Sequence, residues 1–553
     1  MPDYLAGFVP YEEKDALHYN RYRWWPGLTF GDILDRAADM HPEKEAFVDG
    51  RTRLTFGEAR EKVDILALRL MQRGVAPKDR VLLQLPNWNE FVFAYFGLQK
   101  IGAIPVLLID RYRQYEISHL IHMTGAVHWI VPLAYKKYDY LPIIQDIQRQ
   151  HESLKNIITV RGETQPPGTC SLESLLKGEK PSKSEQDRLR AARPDPMEVA
   201  HMGPTGGTTG LPKIVPRTHN SILCGSDFCS RCWDLTSRDT VLIAGPIGHD
   251  LSFSKGFISS VLMQGKTVFL DTTDREEICR TIERERITAI VWVPTLTKML
   301  LEYEDLYQFD LSSLKRIHSG GGASFPALIR EVTEKLGCTY YNGFGSTEGI
   351  TTITRTTDDL DTICGTVGRP TCPYDVYKVV DPEGNGLEQG EAGELVIKGP
   401  GIFTGYYNNP AENAAAFTPD GFFKTGDMAK FDAKGNVVLT GRIKDMINRG
   451  GESISAAEIE SLIMDHPEVA AVAVVPMPDP LLGEKVCAFV QTLSNVRLTF
   501  EDVITYLKER KASVLQLPER IEFMDALPLT AANKLDKNAL KARIEKTILK
   551  PKT

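Results

Sequence analysis

The segment from 205 to 213 reads Thr205-Gly206-Gly207-Thr208-Thr209-Gly210-Leu211-Pro212-Lys213. Its glycines allow positive φ values and its proline has a fixed φ, so the segment cannot form a regular helix or strand. Its amide groups, three hydroxyls and one ammonium suit the binding of a polyphosphate. The spacing differs from that of a Walker loop, which has Gly, four residues and then Gly-Lys-Ser/Thr. By itself, the segment is equally typical of a surface turn.

The composition of the chain limits the classes of protein to which it can belong. Its 553 residues predict three or four folding units of about 150 residues each. A hydrophobic content of 42% and a charged content of 25% are typical of soluble globular proteins. The net charge of −8 argues against a nucleic-acid-binding protein, which needs a basic face.

Cysteine usage and the distribution of apolar residues predict the compartment. The nine cysteines are odd in number and irregularly spaced, which does not indicate a disulfide framework. The N-terminus lacks the pattern of a signal peptide, and no apolar run reaches the roughly 18–20 residues that cross a bilayer. We therefore expect a cytoplasmic protein that does not insert into a membrane.

Around the opening segment, apolar strands alternate with amphipathic helices. Residues 80–85 predict a buried strand, 89–101 a helix and 103–107 the next strand. This alternation predicts an α/β fold with parallel crossover connections. Two further expectations concern the middle of the chain: the polar residues 162–198 form a linker, and Ser254 to Gln264 form a helix.

The last third of the chain changes character. Between about 360 and 440, short β-rich runs alternate with Gly/Asp turns, which suggests a small barrel. From Ile443 onward, helices and strands form an α+β unit of about a hundred residues.

Four other segments carry residues suited to nucleotide chemistry. They are Ser319-Gly320-Gly321-Gly322-Ala323, Tyr341 to Gly349, Lys424-Thr425-Gly426-Asp427 with Gly441-Arg442-Ile443-Lys444-Asp445, and Leu529 to Lys537. In the second, Phe344 can stack on a purine, Thr347 can bind a phosphate and Glu348 can bind Mg²⁺. In the third, Asp427 suits a ribose diol and Arg442 suits sugar or phosphate oxygens. Each segment alone is also typical of a polar turn.

In this order, the segments resemble those of the superfamily of adenylate-forming enzymes, which includes acyl-CoA synthetases, adenylation domains and firefly luciferase. The resemblance extends from Leu28 to about Ala542. It implies a large N-terminal domain, residues 1–441, of two parallel α/β sheets plus a small β-barrel. A hinge at 442–446 and a mobile α+β C-terminal domain at 447–553 would follow.

The resemblance also implies the roles of individual residues. The ATP and AMP site would comprise Thr205, Gly206, Thr208, Thr209, Lys213, Gly320, Gly321, Gly322, Ala323, Asn342, Gly343, Phe344, Thr347, Asp427 and Arg442. Glu348 would bind Mg²⁺, and the catalytic set would be Lys534, Thr347, Glu348 and His249. Lys444 would be the hinge residue, and Gly450 and Gly451 would line the thiol tunnel. One departure is Asn533, where the family usually has glycine, although asparagine tolerates the left-handed region well.

Within the family, the chain is most similar to stand-alone ligases for aryl acids such as 2,3-dihydroxybenzoate. Three segments carry this likeness: Pro216 to His219, Pro373 to Asp375 and Ile447 to Glu452. The acid pocket would be lined by His249, Asp250, Phe253, Ser254, Ser319, Gly320 and Gly343. Catechol-acid ligases have Asn where this chain has Asp250. That leaves three interpretations of this carboxylate: an amine anchor, a hydroxyl acceptor, or a group turned to a partner such as His249 or Lys255.

The resemblance predicts an AMP-forming acid:CoA ligase for a small cyclic carboxylic acid, aromatic or alicyclic, that uses ATP, Mg²⁺ and coenzyme A. The alternative is an aryl-acid ligase that loads a separate carrier protein. A third interpretation is a nucleotide-binding sensor without catalysis, which the joint presence of Lys213, Glu348, Asp427, Arg442 and Lys534 makes the weakest. A monomer or a homodimer is expected, without a nucleic-acid partner.

Overall fold

The computed structural model describes residues 2–162, 165–205, 212–449, 452–494, 496–510, 512–530 and 534–549. Within these ranges the strands form two large, mostly parallel sheets, a four-stranded sheet, a five-stranded C-terminal sheet and a two-stranded ribbon. This arrangement confirms the α/β fold with a large N-terminal and a smaller C-terminal part. None of the helices in these ranges is long and apolar enough to cross a membrane.

The seven-stranded sheet carries the opening segment. In spatial order its strands are Ile214–Thr218, Val199–Pro204, Ile104–Leu107, Arg80–Leu83, His128–Pro132, Asn156–Val160 and Thr169–Ser171. Its helices include Phe56–Gln72, Asn89–Lys100, Gln114–Thr124 and Leu141–Gln150. The first two strands form an antiparallel hairpin, and the other neighbours are parallel. Thr205 and Lys213, which are described residues at the two ends of the opening segment, therefore lie at the end of this hairpin.

The nine-stranded sheet provides the edge on which the site is built. Its strands are, in spatial order, Arg369–Pro370, Thr351–Ile353, Thr339–Gly345, Arg316–Ser319, Ala289–Trp292, Thr240–Ile243, Lys266–Phe269, Glu45–Val48 and Arg53–Thr55. Its helices include Phe30–Met40, His219–Cys232, Arg275–Glu285, Pro294–Leu301, Pro326–Leu336 and Leu360–Gly365. Six central strands are parallel, and Ser319 pairs with Asn342 at their carboxyl ends. Ligands of open α/β sheets bind outside these ends.

Helix Phe30–Met40 begins with a reciprocal pair of hydrogen bonds. Thr29 accepts a hydrogen bond from the Asp32 amide, and the Asp32 carboxylate accepts one from the Thr29 amide. This reciprocal pair satisfies two backbone donors at the start of helix Phe30–Met40. Such a pair is the reason that a Thr-x-x-Asp sequence marks a helix start.

One expectation about local structure was wrong, and a second was confirmed with shifted bounds and an unexpected type of helix. Residues 162–198 are not only a linker: the described part contains strand Thr169–Ser171 and helices Leu172–Leu175 and Lys183–Ala191. The buried side chains of Leu172 and Leu189 hold these short elements on the sheet, although the segment is polar overall. The helix predicted at 254–264 begins as the π-helix Leu251–Ile258 and continues as Ser259–Leu262.

The β-rich segment predicted near 360–440 is a four-stranded antiparallel sheet. Its strands are Val376–Val380, Gly393–Lys398, Phe423–Phe431 and Val437–Arg442. Helix Pro410–Ala416 lies between the second and third strands. The last two strands pair Asp427 with Arg442, two residues that the sequence singles out.

The C-terminal part has a sheet and a core of its own. Its strands are Met446–Arg449, Glu452–Ser455, Val469–Asp479, Gly483–Thr492 and Arg520–Phe523, and its helices are Ala456–Met464, Phe500–Glu509 and Lys537–Leu549. A short 3₁₀ turn, Ile443–Asp445, joins it to the preceding strand. Lys298 Nζ donates to the Ala470 carbonyl over 2.7 Å, which links the two parts. The boundaries predicted at 441 and 447 remain predictions.

The remaining elements are short. They are helix Glu13–Arg21, the strands Ala134–Tyr135 and Tyr138–Asp139, and the 3₁₀ turns Leu306–Gln308 and Val514–Gln516. An aromatic N-terminal arm contains the first of these, and Trp24 of the arm stacks on Tyr374 with ring centroids 4.2 Å apart.

Candidate active site

The two ends of the predicted phosphate loop are joined by a hydrogen bond. The Thr205 amide donates to the Lys213 carbonyl over 2.8 Å, which continues the hairpin ladder by one residue pair. Gly206, Thr208 and Thr209 lie outside the described residues, so their roles remain predictions. Thr205 follows the carboxyl end of strand Val199–Pro204, which is parallel to its neighbour Ile104–Leu107. The carboxyl end of a parallel strand is the expected place for a phosphate site.

Lys213 lies beside two residues that the sequence interpretation did not select. Its ammonium pairs with Glu412 and lies 4.8 Å from the centroid of the Tyr406 ring. The hydroxyl of Tyr406 donates to Glu348 Oε1 over 3.0 Å. Tyr406 thus connects the loop lysine to the predicted metal ligand. Nothing in its local sequence distinguishes it from the adjacent Tyr407.

Thr347 and Glu348 lie between the two large sheets. Arg217 Nη1 donates to the Thr347 carbonyl over 2.9 Å, and the Phe403 amide donates to the Glu348 carbonyl over 2.8 Å. A Cβ at Gly203 would lie 2.7 Å from Thr347 Cγ2. The hairpin that carries the phosphate loop therefore contacts Thr347 directly, as a shared phosphate site requires.

The donor set around Glu348 fits magnesium better than a metal held by protein ligands alone. In the described ranges, no group of three or more His, Cys, Asp or Glu side chains converges on one point. Glu348 is 8% exposed, and Tyr406 binds one of its oxygens. Mg²⁺ commonly binds to one or two carboxylates and completes its shell with water and substrate phosphates. Glu348 meets that requirement.

The glycines after strand Arg316–Ser319 form a flat surface. Gly321 has a φ of +78°, which glycine adopts without strain. A Cβ at Gly320 would lie 3.1 Å from the Gly343 carbonyl oxygen, so the two predicted ligand segments lie against each other. Gly322 and Ala323 are exposed, while Phe344 is half-buried and packs against the core of the four-stranded sheet. This surface suits a planar ring.

Asn342 has a structural role in addition to any contact with a nucleotide. Its Nδ2 donates to the carbonyls of Ile363 and Thr366 over 3.3 and 2.9 Å. Its side-chain amide nitrogen therefore anchors the helix after the strand. The prediction of Asn342 as an AMP-binding residue remains a prediction.

The predicted ribose pair is formed. Arg442 Nε donates to Asp427 Oδ1 over 2.7 Å, and Asp427 is 6% exposed. Burial raises the pKa of Asp427, while the positive charge of Arg442 opposes that rise. A diol that donated two hydrogen bonds to this carboxylate would stabilise its charged form.

Lys534 reaches the site from the C-terminal part. Its Cε lies 3.8 Å from the position that a Cβ at Gly321 would occupy. Much of the residue is exposed, but the protein atoms around the ammonium, followed by the charge of Arg442, lower its pKa. Asp427 and Glu348 act in the opposite direction. The ammonium is thus within electrostatic reach of the predicted ribose and metal ligands.

His249 lies between Lys534 and the predicted acid pocket. Its Nδ1 accepts a hydrogen bond from the Leu251 amide over 3.3 Å, which leaves the proton on Nε2. Burial and the nearby charge of Lys534 lower the pKa of His249 to about 4. The imidazole is therefore neutral at neutral pH.

Asp250 is turned to a partner, which was one of the three interpretations. Its Oδ2 lies 3.7 Å from Lys255 Nζ, and the Ser254 hydroxyl donates to the Asp250 carbonyl over 2.8 Å. Phe253 is wholly buried and packs against Tyr95 at a centroid distance of 4.8 Å. The structure therefore uses Phe253 as a core residue.

The predicted hinge and thiol tunnel are only partly covered by the structure. Lys444 is in the 3₁₀ turn between the two parts of the chain, and its carbonyl accepts a hydrogen bond from Lys541 over 3.5 Å. Gly450 and Gly451 lie outside the described residues. The role of Lys444 as the hinge residue and that of Gly450 and Gly451 in the thiol tunnel remain predictions.

Asp375 packs against the backbone at Gly401, which Arg217 also contacts. Its Oδ1 accepts a hydrogen bond from the Gly401 amide over 2.9 Å, while Arg217 donates to the Gly401 carbonyl over 2.6 Å. A Cβ at Gly399 would lie 2.2 Å from Asp375 Oδ1, so the carboxyl group packs tightly although the residue is partly exposed. Burial raises the pKa of Asp375 to about 7.

Asp375→Asn is expected to change how stability depends on pH. A carboxyl group whose pKa is higher in the folded than in the unfolded state stabilises the fold at pH values below its pKa in the unfolded state. This stabilisation is lost as the pH rises to the pKa of the group in the folded state. The wild type should therefore lose stability relative to the variant between about pH 4 and pH 7, by a few kcal/mol at most. Thermal unfolding of both proteins across this range measures the effect. A difference in Tm that did not change with pH would contradict it.

Comparisons with known proteins agree with this geometry. Residues 34–407 match the family of AMP-binding enzymes, and residues 458–534 match the AMP-binding enzyme C-terminal domain. The chain is 35% identical over 545 residues to 2-hydroxy-7-methoxy-5-methyl-1-naphthoate–CoA ligase of Streptomyces carzinostaticus, which covers 97% of each chain. It is 34% identical over 547 residues to 2,3-dihydroxybenzoate-AMP ligase of Bacillus subtilis, which covers 99% of each chain.

A solved structure extends the match to three dimensions. The apo structure of MbtA from Mycobacterium smegmatis superposes with a TM-score of 0.73 at 30% identity, and the match covers 98% of this chain and all of that one. The two family matches correspond to the large N-terminal part and the smaller C-terminal part of the fold. The residues predicted to bind the nucleotide lie within or between the two matched ranges. The chain belongs to the family of AMP-binding, adenylate-forming enzymes.

Proposed function

We propose that the protein is an AMP-forming acid:CoA ligase that activates a small cyclic carboxylic acid with ATP and transfers the acyl group to coenzyme A. The observation that carries this proposal is the position of Lys534, which lies next to Gly321 and within electrostatic reach of Glu348 and the Asp427–Arg442 pair. These groups come from both parts of the chain, and together they match what a carboxylate and ATP need in order to react.

In the first half-reaction, a carboxylate oxygen attacks the α-phosphorus of ATP and pyrophosphate leaves, which gives an acyl-adenylate. Two anions have to approach each other, so the charge of Lys534 offsets their repulsion and stabilises the charge that builds up on phosphorus. Mg²⁺ bound at Glu348 would supply further charge stabilisation on the phosphates. The fixed Asp427 carboxylate would hold the ribose, which positions the α-phosphorus.

In the second half-reaction, a thiol attacks the acyl carbonyl and AMP leaves. His249 borders the predicted acid pocket, and its neutral ring presents an Nε2–H group. Because this ring is uncharged, it adds no positive charge near the adenylate that would attract pyrophosphate back. Lys534 belongs to the smaller part of the chain, so rotation about the turn at Lys444 would remove the ammonium once pyrophosphate has left.

The relatives support an aromatic acid. The names of the naphthoate–CoA ligase and the dihydroxybenzoate-AMP ligase both specify a ring carboxylic acid with at least one hydroxyl group. The first of these names also specifies coenzyme A as the acceptor. The second candidate function, an aryl-acid ligase that loads a separate carrier protein, is supported by the likeness to stand-alone AMP ligases.

Two assays test the proposal and separate it from the alternative. Pyrophosphate exchange against benzoate, hydroxybenzoates, cyclohexane carboxylates, short fatty acids and amino acids identifies the acid. The preferred acid is then supplied with CoA alone, and release of acyl-CoA at a rate comparable to adenylation is expected. Turnover only with a phosphopantetheinylated carrier protein would instead establish the second candidate, and no acid-dependent exchange would refute both.

A further inference from the structure

We propose that Glu412 competes with the phosphates of ATP and pyrophosphate for the ammonium of Lys213, so that it holds this lysine in the empty enzyme and promotes the release of pyrophosphate after adenylation. Glu412 is thus a positioning residue, which acts through Lys213 and does not touch the reacting atoms. The inference rests on the phosphate role predicted for Lys213, and it is independent of the acid and of the thiol acceptor.

The ion pair between Lys213 and Glu412 joins two segments that are distant in the chain. The side chains of the two residues are 38% and 35% exposed. Among the described residues, Glu412 is the one carboxylate that pairs with Lys213. An ion pair with this exposure is weak, and a phosphate group can reach the ammonium from the solvent side. The carboxylate is therefore a partner that a phosphate with a larger negative charge can displace.

The start of helix Pro410–Ala416 holds the Glu412 carboxylate in place. Asn409 precedes this helix and accepts a hydrogen bond from the Glu412 amide over 3.2 Å. Asn413 bonds the Tyr406 backbone in both directions: its Oδ1 accepts from the Tyr406 amide over 2.7 Å, and its Nδ2 donates to the Tyr406 carbonyl over 3.0 Å. These bonds fix the first turn of the helix relative to Tyr406.

Two adjacent tyrosines attach this segment to the hairpin that carries Lys213. The Tyr407 amide donates to the Ile214 carbonyl over 2.9 Å, one residue after Lys213. The Lys213 ammonium lies 4.8 Å from the centroid of the Tyr406 ring, and a cation is attracted to an aromatic face at this distance. The ring and Glu412 therefore hold the ammonium together, on a support that is bonded to the same hairpin.

The negative charges around Tyr406 determine the direction of the effect. Burial, followed by the charges of Glu348 and Glu412, raises the pKa of the Tyr406 hydroxyl, so both carboxylates lie within electrostatic reach of that group. Glu348 is the predicted ligand of Mg²⁺, which would offset its charge. Phosphates that bind Lys213 take away the cation that offsets Glu412. The uncompensated carboxylate then lies close to them, which opposes their binding.

This competition favours the passage from the first half-reaction to the second. Adenylation can reverse while pyrophosphate is bound, because pyrophosphate is the nucleophile of the reverse reaction. A carboxylate that recovers the lysine ammonium weakens the binding of pyrophosphate and so leaves the adenylate for the thiol. AMP lacks the β- and γ-phosphates, so its affinity should not depend on Glu412.

The experiment measures the dissociation constants of Mg-ATP, Mg-pyrophosphate and AMP by isothermal titration calorimetry, without any acid, for the wild type and for Glu412→Gln. Glutamine keeps the shape of the side chain and removes its charge. The constants for Mg-ATP and Mg-pyrophosphate should fall about three- to fivefold, which is the scale of a partly exposed ion pair. The constant for AMP should stay the same. A general disturbance of the fold would instead weaken the binding of all three ligands.

Lys213→Met separates competition for the lysine from direct repulsion between Glu412 and the phosphates. This variant should bind Mg-ATP about tenfold more weakly than the wild type, since it loses a bond to a charged group. Adding Glu412→Gln to it should change the constants less than about 1.5-fold, because residues that act through each other are not additive. An equal effect of Glu412→Gln in both backgrounds would overturn the inference, as would unchanged Mg-ATP binding by Lys213→Met.

Glu383→Gln is the matched control. Glu383 is an exposed glutamate in the turn after strand Val376–Val380, and its substitution changes the net charge of the protein by the same amount. It should leave all three constants at their wild-type values. Unchanged or weaker binding of Mg-ATP by Glu412→Gln, or an equal tightening of AMP binding, would also overturn the inference. The titrations need neither acid nor thiol, so an absence of acid-dependent pyrophosphate exchange would refute the proposed function alone.

Discussion

Lys534→Ala is expected to slow acyl-adenylate formation about 10³-fold, which is the scale of losing one preorganised charge at a transition state. The ammonium is placed at the glycine surface by its contact with Gly321 and is held near Asp427 and Glu348 by their opposite charges. The second half-reaction does not build charge on phosphorus. Thioester formation from a supplied acyl-adenylate should therefore stay within about threefold of the wild type. Stopped-flow or quench measurements of each half-reaction separate the two rates.

The control for this prediction is Lys546→Ala. Lys546 is an exposed lysine on the C-terminal helix Lys537–Leu549, which follows Lys534 in the chain. Both half-reactions should retain wild-type rates in that variant. If Lys534→Ala slowed both half-reactions equally, the residue would act on the position of the smaller domain and not on the phosphoryl step.

The second large effect is expected for Glu348→Gln, with adenylation about 10²-fold slower at fixed Mg²⁺. Glutamine keeps the shape of the side chain and can still accept a hydrogen bond from Tyr406, so the local packing should survive. It lacks the negative charge that holds a divalent cation. The variant should therefore need a higher Mg²⁺ concentration for half-maximal pyrophosphate exchange, and a magnesium titration of the exchange rate measures this.

Tyr406→Phe separates the charge of Glu348 from its hydrogen bond. This variant loses only the 3.0 Å bond to Glu348 Oε1, which is worth about 1 kcal/mol, or roughly a fivefold change in rate. A Glu348→Gln variant with an unchanged magnesium requirement would show that the carboxylate does not bind the metal. An effect of Tyr406→Phe as large as that of Glu348→Gln would indicate that the hydrogen bond, and not the charge, is essential.

Much of the fold could be predicted because its signals are local. Alternating apolar strands and amphipathic helices identify the parallel sheets. The failures have a different origin. Residues 162–198 are polar in composition, yet Leu172 and Leu189 are buried. A few apolar side chains are enough to hold short helices and a strand in place when a neighbouring surface covers them. The π-helix at Leu251 depends on packing against three neighbouring elements, which no local pattern reveals.

The site divides in the same way. Lys213, Glu348, Asp427 and Arg442 are in short segments whose residue types suit phosphates, a metal and a ribose, so their sequence context predicts them. Tyr406, Glu412 and Arg217 are absent from that prediction. Each of them contacts residues that are distant in the chain, and an ordinary tyrosine, glutamate or arginine carries no mark of such contacts in its local sequence.

The sequence by itself therefore determined the family and the class of chemistry, and it predicted the residues that would carry charge to the phosphates, because those residues are in short local segments. Only the tertiary structure decided that Lys534 lies at the glycine surface, that Tyr406 connects Lys213 to Glu348, and that Asp250 faces Lys255. The physical reason is that pairing, burial and the resulting pKa shifts depend on which side chains the fold brings within a few ångströms, and chain position does not specify that distance.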